Sequence, residues 1–384
     1  MPMEEPRLHV VVDRATLLTA IQAAEAVAPT SSTKPILTHL LLRATPAGIE
    51  VVATDSQVGL RCLAPGGRVE IPGEVVIGAR QIGAILKESS SPAVTLRMAR
   101  SGDQHVVEIS LADGDYQIQA VVGEAFPEVG AYPDGAPGHT VPGARLHEMF
   151  RVTTLAMDKD RASPVLSGLS LSVGEGKLVL AATDGKVLAE SIDLSDRYQS
   201  IDGKRLQLVL PALTVNHLSR VLSGDIPAKV EFTSSGKVVF FRLHLADGQR
   251  MDITSRLIDG TFPSYAAAIA AVPGAATVTF QASELASAVR RTALMTNQSA
   301  RGIVMALEKD RAVFSNLNFT NGSARIPVNC QYSGSPVRLG FSSSYLGDVI
   351  KAYHGETVTI ELGRGMVMRQ PGCTFLVMPI TLPN

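Results

Sequence analysis

The stretch PILTHLLLRATPAGIEVVATD at residues 35–55 recurs without a gap as PVLSGLSLSVGEGKLVLAATD at residues 164–184. The opening Pro, three Leu and the closing Ala-Thr-Asp lie in register. The two copies begin 129 residues apart, which is the length of a domain rather than one of the periods of about 20–50 residues found in solenoids and propellers. The sequence therefore predicts a domain duplication.

A third, weaker copy is RGIVMALEKDRAVFSNLN at residues 301–318, which aligns with 167–184 and lacks the Ala-Thr-Asp. A stretch with apolar residues at helical spacing precedes each copy, and another follows it. The first stretches carry Leu17, Ile21, Ala24 and Ala28, then Leu146, Phe150, Thr153 and Met157, then Leu285 and Val289. The second stretches predict helices at 79–88, 212–222 and 342–353. Three units thus share one order of elements.

Between the predicted helices the sequence alternates in the manner of strands, as at 106–111 and 238–245, with Gly and Asp-Gly breaks. Each unit therefore reads as an α+β domain in which two helices cover an antiparallel sheet. Segments rich in Pro, Gly and Ala interrupt the periodic pattern at 128–140 and 265–277. These breaks predict three repeated domains with limits of 1–134, 135–264 and 265–384.

The composition is that of a globular chain, with 45% hydrophobic and 18% charged residues. The sequence has no run of about 18 apolar residues, and its start lacks the pattern of a signal peptide, so we expect a cytoplasmic protein with no membrane partner. Cys62, Cys330 and Cys373 are far apart and show no paired spacing. This predicts buried, inert thiols rather than a disulfide framework or a zinc site.

The usual catalytic motifs are missing. None of the Gly-Lys pairs has the earlier Gly of a phosphate-binding loop, and the eight His are scattered. Asp55 and Asp184 recur at the end of the repeated stretch and resemble a pair of catalytic carboxylates. Asp after Thr at a strand end is also a common turn former, and the sequence favours that interpretation.

One enzyme-like alternative remains, because Ser31 and Lys34 fit the Ser-x-x-Lys of penicillin-recognising acyl enzymes. In such enzymes the Lys assists deprotonation of the Ser. The Lys-Thr-Gly strand that accompanies this motif is absent, and Pro35 follows where a helix should carry the pair. A polar loop is the simpler interpretation.

The sequence as a whole resembles the bacterial β sliding clamp family, the processivity subunits of DNA polymerase III. The resemblance rests on the threefold unit, the Pro-Ile-Leu and Ala-Thr-Asp segments, the Asp-Gly-x-Phe-Pro-x-Tyr run at 259–265, and the ending Val377-Met378-Pro379. It implies a non-catalytic protein without cofactors that forms a head-to-tail homodimer. Six domains would close a ring around double-stranded DNA, with helices lining the hole. The matching dimer-interface positions are Tyr116, Leu294 and Met295, for which an ordinary core position is the alternative.

The resemblance also implies a groove that binds short peptides of the replicative polymerase, the clamp loader and other partners. The matching positions are Leu166, Thr183, Gly185, Lys186, Val187, Leu188, Pro263, Leu376, Val377, Met378, Pro379 and Ile380. Val187 and Ala267 stand where the family often has Arg, Thr381 replaces a basic residue, and Pro383-Asn384 extend the tail. We therefore expect a groove that is more apolar and less charged than is usual.

The charge distribution is consistent with such a ring. The six predicted helices carry ten Lys and Arg against six Asp and Glu, a net +4, whereas the whole chain has a net charge of -1. A weakly positive lining can hold phosphates without reading bases. The resemblance places Lys34, Arg80, Lys159 and Arg161 near DNA. A sequence-reading DNA binder is the other class to consider, but a pI of about 6.7 argues against its basic face.

Overall fold

The computed structural model describes residues 8–122, 124–160, 163–201, 203–223, 229–245, 248–272, 276–296, 301–317 and 322–382. Its helices are α1 (Arg14–Val27), α2 (Ala79–Glu88), α3 (Gly143–Thr153), α4 (Ala212–Leu222), α5 (Ala266–Ala270), α6 (Ala282–Ala293) and α7 (Ser343–Ala352). Short 3-10 turns occupy Pro35–Thr38 and Thr154–Ala156.

The strands are antiparallel throughout the described residues. In chain order they are β1 (His9–Asp13), β2 (His39–Thr45), β3 (Gly48–Thr54), β4 (Val58–Pro65), β5 (Arg68–Ile71), β6 (Gly73–Gly78), β7 (Ala93–Ser101), β8 (Gln104–Leu111), β9 (Gly114–Val121), β10 (His139–Val141), β11 (Leu169–Gly174), β12 (Lys177–Thr183), β13 (Val187–Leu194), β14 (Leu206–Leu210), β15 (Lys229–Ser235), β16 (Val238–His244), β17 (Arg250–Arg256), β18 (Ala276–Gln281), β19 (Gly302–Glu308), β20 (Arg311–Asn316), β21 (Arg325–Asn329), β22 (Val337–Ser342), β23 (Thr357–Leu362), β24 (Met366–Gln370) and β25 (Cys373–Val377).

The chain forms two compact units, of which the first comprises Met1–His147 and Leu213–Leu257. Its described strands form one sheet in the order β10-β15-β16-β17-β4-β3-β2-β6-β9-β8-β7-β1-β5. Helices α1 and α2 pack against each other, and α1 also covers β3 and β4. Pairing of β17 with β4 joins strands of the second repeat to strands of the first.

The second unit comprises Glu148–Ala212 and Ile258–Asn384. It holds an eight-stranded sheet in the order β14-β11-β12-β13-β25-β24-β23-β18 and a four-stranded sheet in the order β21-β20-β19-β22. Helices α6 and α7 pack against each other. Here β13 of the second repeat pairs with β25 of the third. The strands of the second repeat are therefore shared between both units, and the predicted domain limits at 134 and 264 stay a prediction.

The strand registers reproduce the sequence repeat. Leu41 faces Val52 across β2 and β3, and the residues 129 positions later, Ser170 and Ala181, face each other across β11 and β12. The weak third copy follows the same rule, because the Ser172–Val179 pair recurs 134 positions later as Ala306–Val313 across β19 and β20. Equal registers place equivalent side chains on the same face of each sheet.

The predicted helices occur in all three repeats, and α2 and α4 have the predicted limits. Helix α1 begins after Asp13, whose carboxylate accepts a hydrogen bond from the Thr16 N–H at 2.7 Å. Other expectations were wrong in detail. Ala28 lies just beyond the end of α1, and α7 is one residue shorter at each end than the predicted helix. Helix α3 ends at Thr153 and a 3-10 turn follows, so Met157 lies outside it. The predicted break at 265–277 contains the five-residue helix α5.

Candidate functional site

The turn between β12 and β13 is built by the last two residues of the repeated stretch. The Asp184 carboxylate accepts hydrogen bonds from the N–H groups of Lys186 and Val187, both at 2.8 Å. The Thr183 hydroxyl donates to the Val187 carbonyl at 2.7 Å and accepts from the Gly185 N–H at 3.0 Å. Gly185 has a φ of 86°, which favours glycine. One hydrogen-bonded turn thus fixes four residues of the predicted groove.

The first copy of the repeat builds the same turn in the first unit. The Asp55 carboxylate accepts from the N–H groups of Gln57 at 2.8 Å and Val58 at 2.7 Å. The Thr54 hydroxyl donates to the Val58 carbonyl at 2.8 Å and accepts from the Ser56 N–H at 3.0 Å. The repeated Asp residues hold backbone turns, which supports their interpretation as turn formers.

The C-terminal segment lies beside the β12–β13 turn, because β25 pairs with β13. Beyond the end of β25, the Met378 N–H donates to the Lys186 carbonyl at 2.8 Å. Two residues later, the Ile380 N–H donates to the Gly340 carbonyl of β22, also at 2.8 Å. Met378 is nevertheless 38% exposed, which is high for a large apolar side chain. An apolar surface therefore forms where the tail meets the turn.

The twelve predicted groove residues all lie in the second unit and divide by exposure. The exposed and half-buried members are Leu166, Gly185, Lys186, Pro263, Met378, Pro379 and Ile380. The buried members, which support that surface from within the sheet, are Thr183, Val187, Leu188, Leu376 and Val377. Ala267 and Thr381, which the sequence analysis named as departures from the resemblance, are both exposed.

The segment after Pro263 adds residues that the sequence analysis missed. Ile269 and Val272, in and just after α5, are buried in one cluster with Leu188, Leu376 and Val367. Tyr265 packs against the same cluster. A signal was present, because Tyr265, Ile269 and Val272 recur at helical spacing. The many Ala residues between them hid it, since they lower the contrast on which periodicity depends.

Two tyrosines border this surface and keep their protons well above neutral pH. Burial raises the pKa of Tyr265, and so does Glu190, which accepts a hydrogen bond from its hydroxyl at 2.8 Å. Burial also raises the pKa of Tyr345 on α7, helped by a hydrogen bond to Asp184. Both hydroxyls therefore donate to carboxylates and help to position them.

The residues predicted to face DNA are exposed wherever the structure describes them. Lys34 precedes the first 3-10 turn and Arg80 lies in the first turn of α2. Lys159 is exposed, and its amine lies 3.8 Å from the Asp348 carboxylate. Arg161 lies outside the described residues. Arg80 also lines a cleft of about 510 Å³ with Glu25, whose pKa is raised by burial against the opposing effect of Arg80.

The Ser31–Lys34 pair lies on an exposed loop rather than on a helix. In this loop the Lys34 N–H donates to the Ser32 hydroxyl and the Leu37 N–H donates to the Lys34 carbonyl, both at 3.1 Å, so neither bond joins the Ser31 hydroxyl to the Lys34 amine. A nucleophile and its activating amine need direct contact in an acyl enzyme. This geometry gives the acyl-enzyme alternative no support.

Two of the three predicted dimer-interface residues are exposed, which does not fit the alternative that they belong to the core. Leu294 is 76% exposed and Tyr116 is 43% exposed, whereas Met295 is half-buried. The strand edges without a partner among the described strands include those of β9 and β21. Beyond its short pairing with β6 at Ala120 and Val121, β9 pairs only with β8, and β21 pairs only with β20. Such edges are available for pairing with another chain.

Other kinds of site find little support in the described residues. None of the helices there is long and apolar enough to cross a membrane. No group of three or more His, Cys, Asp or Glu in those residues is placed to hold a metal ion. The three cysteines are buried, and burial raises the pKa of the Cys330 thiol to about 11, with a smaller contribution from Asp310. That pKa fits the prediction of inert thiols.

Comparison with known proteins identifies the class. Family models of the DNA polymerase III beta subunit match along the chain: the N-terminal domain at residues 8–129, the central domain at 140–264 and the C-terminal domain at 273–379. The beta sliding clamp of Pseudomonas aeruginosa is 28% identical over 91% of this chain and 92% of its own length. That of Chlamydia trachomatis is 24% identical over 97% of this chain and 86% of its own.

The fold agrees with these matches. The crystal structure of the DNA polymerase III beta subunit of Thermotoga maritima superposes with a TM-score of 0.87 at 20% identity, covering 98% of this chain and all of that one. Three repeated domains with antiparallel sheets and paired helices are the architecture of sliding clamps. The chain belongs to the DNA polymerase III beta subunit family, as its sequence resemblance indicates.

Proposed function

We propose that two copies of this chain close head to tail into a ring that encircles double-stranded DNA and tethers the replicative polymerase to it. The observation that carries this proposal is the exposure of Leu294 and Tyr116, at 76% and 43%. Large apolar side chains that are exposed on a single chain are stabilised when an interface buries them. One lies after α6 of the third repeat and the other on β9 of the first, as a head-to-tail contact requires.

The unpaired edges of β9 and β21 support the same contact. Joining the β9 edge of each copy to the β21 edge of the next would pair both of these edges. A heterologous contact of this kind produces a ring when the rotation closes. Two copies of three repeats would then give six domains around one hole.

Exposed positive charge on the helices supports the DNA assignment. The exposed basic residues include Arg80 and Lys87 on α2, Arg290 and Arg291 on α6, and Lys351 on α7. Contacts from such residues to phosphate are independent of base sequence and weaken with salt. A ring held on by topology needs no stronger affinity than this.

Retention on DNA tests the ring. The protein is loaded onto nicked circular DNA with a clamp loader of this family and ATP, then isolated before and after one restriction cut. A topological ring stays on the circle and slides off the linear form. Equal retention on both forms, or a salt-sensitive affinity that accounts for all binding, would contradict encirclement.

We further propose that the surface formed by Gly185, Lys186, Pro263, Met378 and Pro379 binds the short peptides through which partners attach. The fixed β12–β13 turn and the exposed, adaptable Met378 suit several related apolar peptides. Truncating Met378–Asn384 should abolish the binding of a clamp-binding peptide, measured by fluorescence anisotropy, and preserve the dimer in sedimentation. Unchanged peptide affinity in the truncated chain would exclude this surface.

A further inference from the structure

A cleft larger than the one at Arg80 lies in the first unit, and none of its lining residues belongs to the proposed peptide groove. It has a volume of about 1200 Å³ and lies between the strands β2, β3, β4 and β6 and a covering segment made of residues 121–122 and 124–129. Its apolar wall includes Leu41, Val52 and Val76 from the sheet. Val121 and Phe126 of the segment pack against the same cluster. The sheet and the segment thus form an open cleft with an apolar wall and charged residues around it.

The apolar character of this wall is not a requirement of the repeated fold. The positions equivalent to Leu41 and Val52, at the same register in the second repeat, are Ser170 and Ala181. The same sheet face is therefore polar or small in one copy and apolar in the other. The first repeat thus has large apolar side chains at positions where the second repeat has small or polar ones.

The mouth of the cleft exposes further apolar side chains. Ile71, at the end of β5, is 42% exposed, and Val122, just after β9, is 40% exposed. Both line the cleft, and only seven large hydrophobic residues in the described parts of the chain reach comparable exposure. Exposed apolar residues that rim a concave site mark a binding surface.

The charges at the cleft are of two kinds. Arg43 and Arg61 line it, but their guanidinium groups are held by Glu50, at 2.9 Å from Arg43 and 2.8 Å from Arg61. Glu124 and Glu128, on the covering segment, are exposed at the rim. The two Arg side chains are thus engaged by acids, while the solvent-facing charge of the rim is negative. A ligand with apolar and positively charged groups complements this arrangement.

We propose that this cleft docks a short extended segment of a partner protein, with apolar side chains in the cleft and flanking Lys or Arg at the rim. Its volume lies above the range of about 300–1,000 Å³ typical of small-ligand pockets, which suits several amino-acid side chains. The site is separate from the proposed groove in the second unit. The clamp would then hold two partner segments at different places on one chain.

The test uses the full-length protein and a fluorescein-labelled peptide, Lys-Leu-Phe-Leu-Lys, with Glu-Leu-Phe-Leu-Glu as its charge-reversed match. Fluorescence anisotropy should show binding of the basic peptide with a Kd of about 100 μM. The acidic peptide should bind at least about tenfold more weakly. Ile71→Glu and Val122→Glu should each weaken binding of the basic peptide by about tenfold or more. Loss of the apolar contact and burial of a carboxylate under the ligand cost more than the small gain that an exposed ion pair with a flanking Lys returns.

Two matched variants make the result specific. Leu194→Glu alters a more exposed apolar residue, 70% exposed at the end of β13, and should leave peptide binding unchanged. Truncation of Met378–Asn384 removes the proposed groove and should also leave it unchanged. Thermal unfolding midpoints equal to the parent's would show that each variant is folded.

Several outcomes would overturn the proposal. They are no binding up to 1 mM, equal affinity for both peptides, or loss of binding in the truncated chain with retention in Ile71→Glu. Self-association beyond a dimer that Val122→Glu abolishes would instead assign the cleft to a second copy of this chain. Equal weakening by Leu194→Glu would show non-specific adhesion of the peptide.

Discussion

Substitution of Leu294 by Ala gives the most direct measure of the proposed ring contact. The change removes three carbons from a side chain that is 76% exposed in the single chain. At about 0.8 kcal/mol per buried CH₂, burying that fraction in an interface corresponds to about 1.8 kcal/mol. A closed two-chain ring contains this contact twice, so the dimer should lose about 3.6 kcal/mol, or roughly 400-fold in its dissociation constant.

Sedimentation across a concentration series measures that constant for the parent and the variant. The fold of the single chain should be unaffected, because exposed substitutions typically change the free energy of unfolding by less than about 0.5 kcal/mol. Leu194→Ala is the matched control, since Leu194 is 70% exposed on β13, outside the proposed contact. A shift below about tenfold in Leu294→Ala, or an equal shift in the control, would refute the assignment of Leu294 to the interface.

Three further predictions concern the stability of the chain and the location of the peptide groove. The Arg242 guanidinium donates two hydrogen bonds to the buried Asp252 carboxylate, both at 2.9 Å. Arg242→Ala leaves that carboxylate without its partner and should lower the free energy of unfolding in urea by about 3–5 kcal/mol. The double variant Arg242→Ala with Asp252→Ala should recover much of that loss of stability. Burial lowers the pKa of His217, so the unfolded chain binds the extra proton first and the stability should fall as the pH drops below about 6.5. His217→Leu should reduce that fall in a profile of thermal midpoint against pH, and the remainder should come in part from His139, whose pKa is also lowered by burial. Asp184→Ala removes two hydrogen bonds to backbone N–H groups of the β12–β13 turn and should weaken partner-peptide binding by about tenfold. Asp55→Ala removes the equivalent two bonds in the turn of the first repeat and should leave peptide binding unchanged. Equal effects of the two variants would contradict the location of the groove.

Local signals predicted most of the architecture. Apolar spacing located α2 and α4 at their observed limits, because each helix has one buried face and polar residues opposite it. The repeated Ala-Thr-Asp located both turns, because their hydrogen bonds join residues two to four apart. Where the interactions that decide structure are local, a pattern in the sequence can report them.

The remainder depends on contacts between distant residues. Glu190 and Tyr265 are 75 positions apart, and no local pattern indicates their hydrogen bond. Helix α5 lies in an Ala-rich segment whose buried face consists mainly of Ile269. The exposure of Leu294 could not be predicted from the sequence either, because a residue at the end of a helix can be buried in the core or exposed at the surface. A partner-binding surface consists of side chains that the folded chain leaves exposed, and only the three-dimensional structure shows which side chains these are.

The strand pairs between repeats have a consequence for divergence among relatives. Six residue pairs join β17 to β4, and five join β13 to β25. Backbone groups form these junctions, and every residue except proline supplies the same donor and acceptor whatever its side chain. Side chains in these paired strands can therefore be substituted without breaking the strand pairs that join one repeat to the next. A lineage of such proteins can lose most of its shared residues, change the surfaces that meet partners, and still inherit the same scaffold.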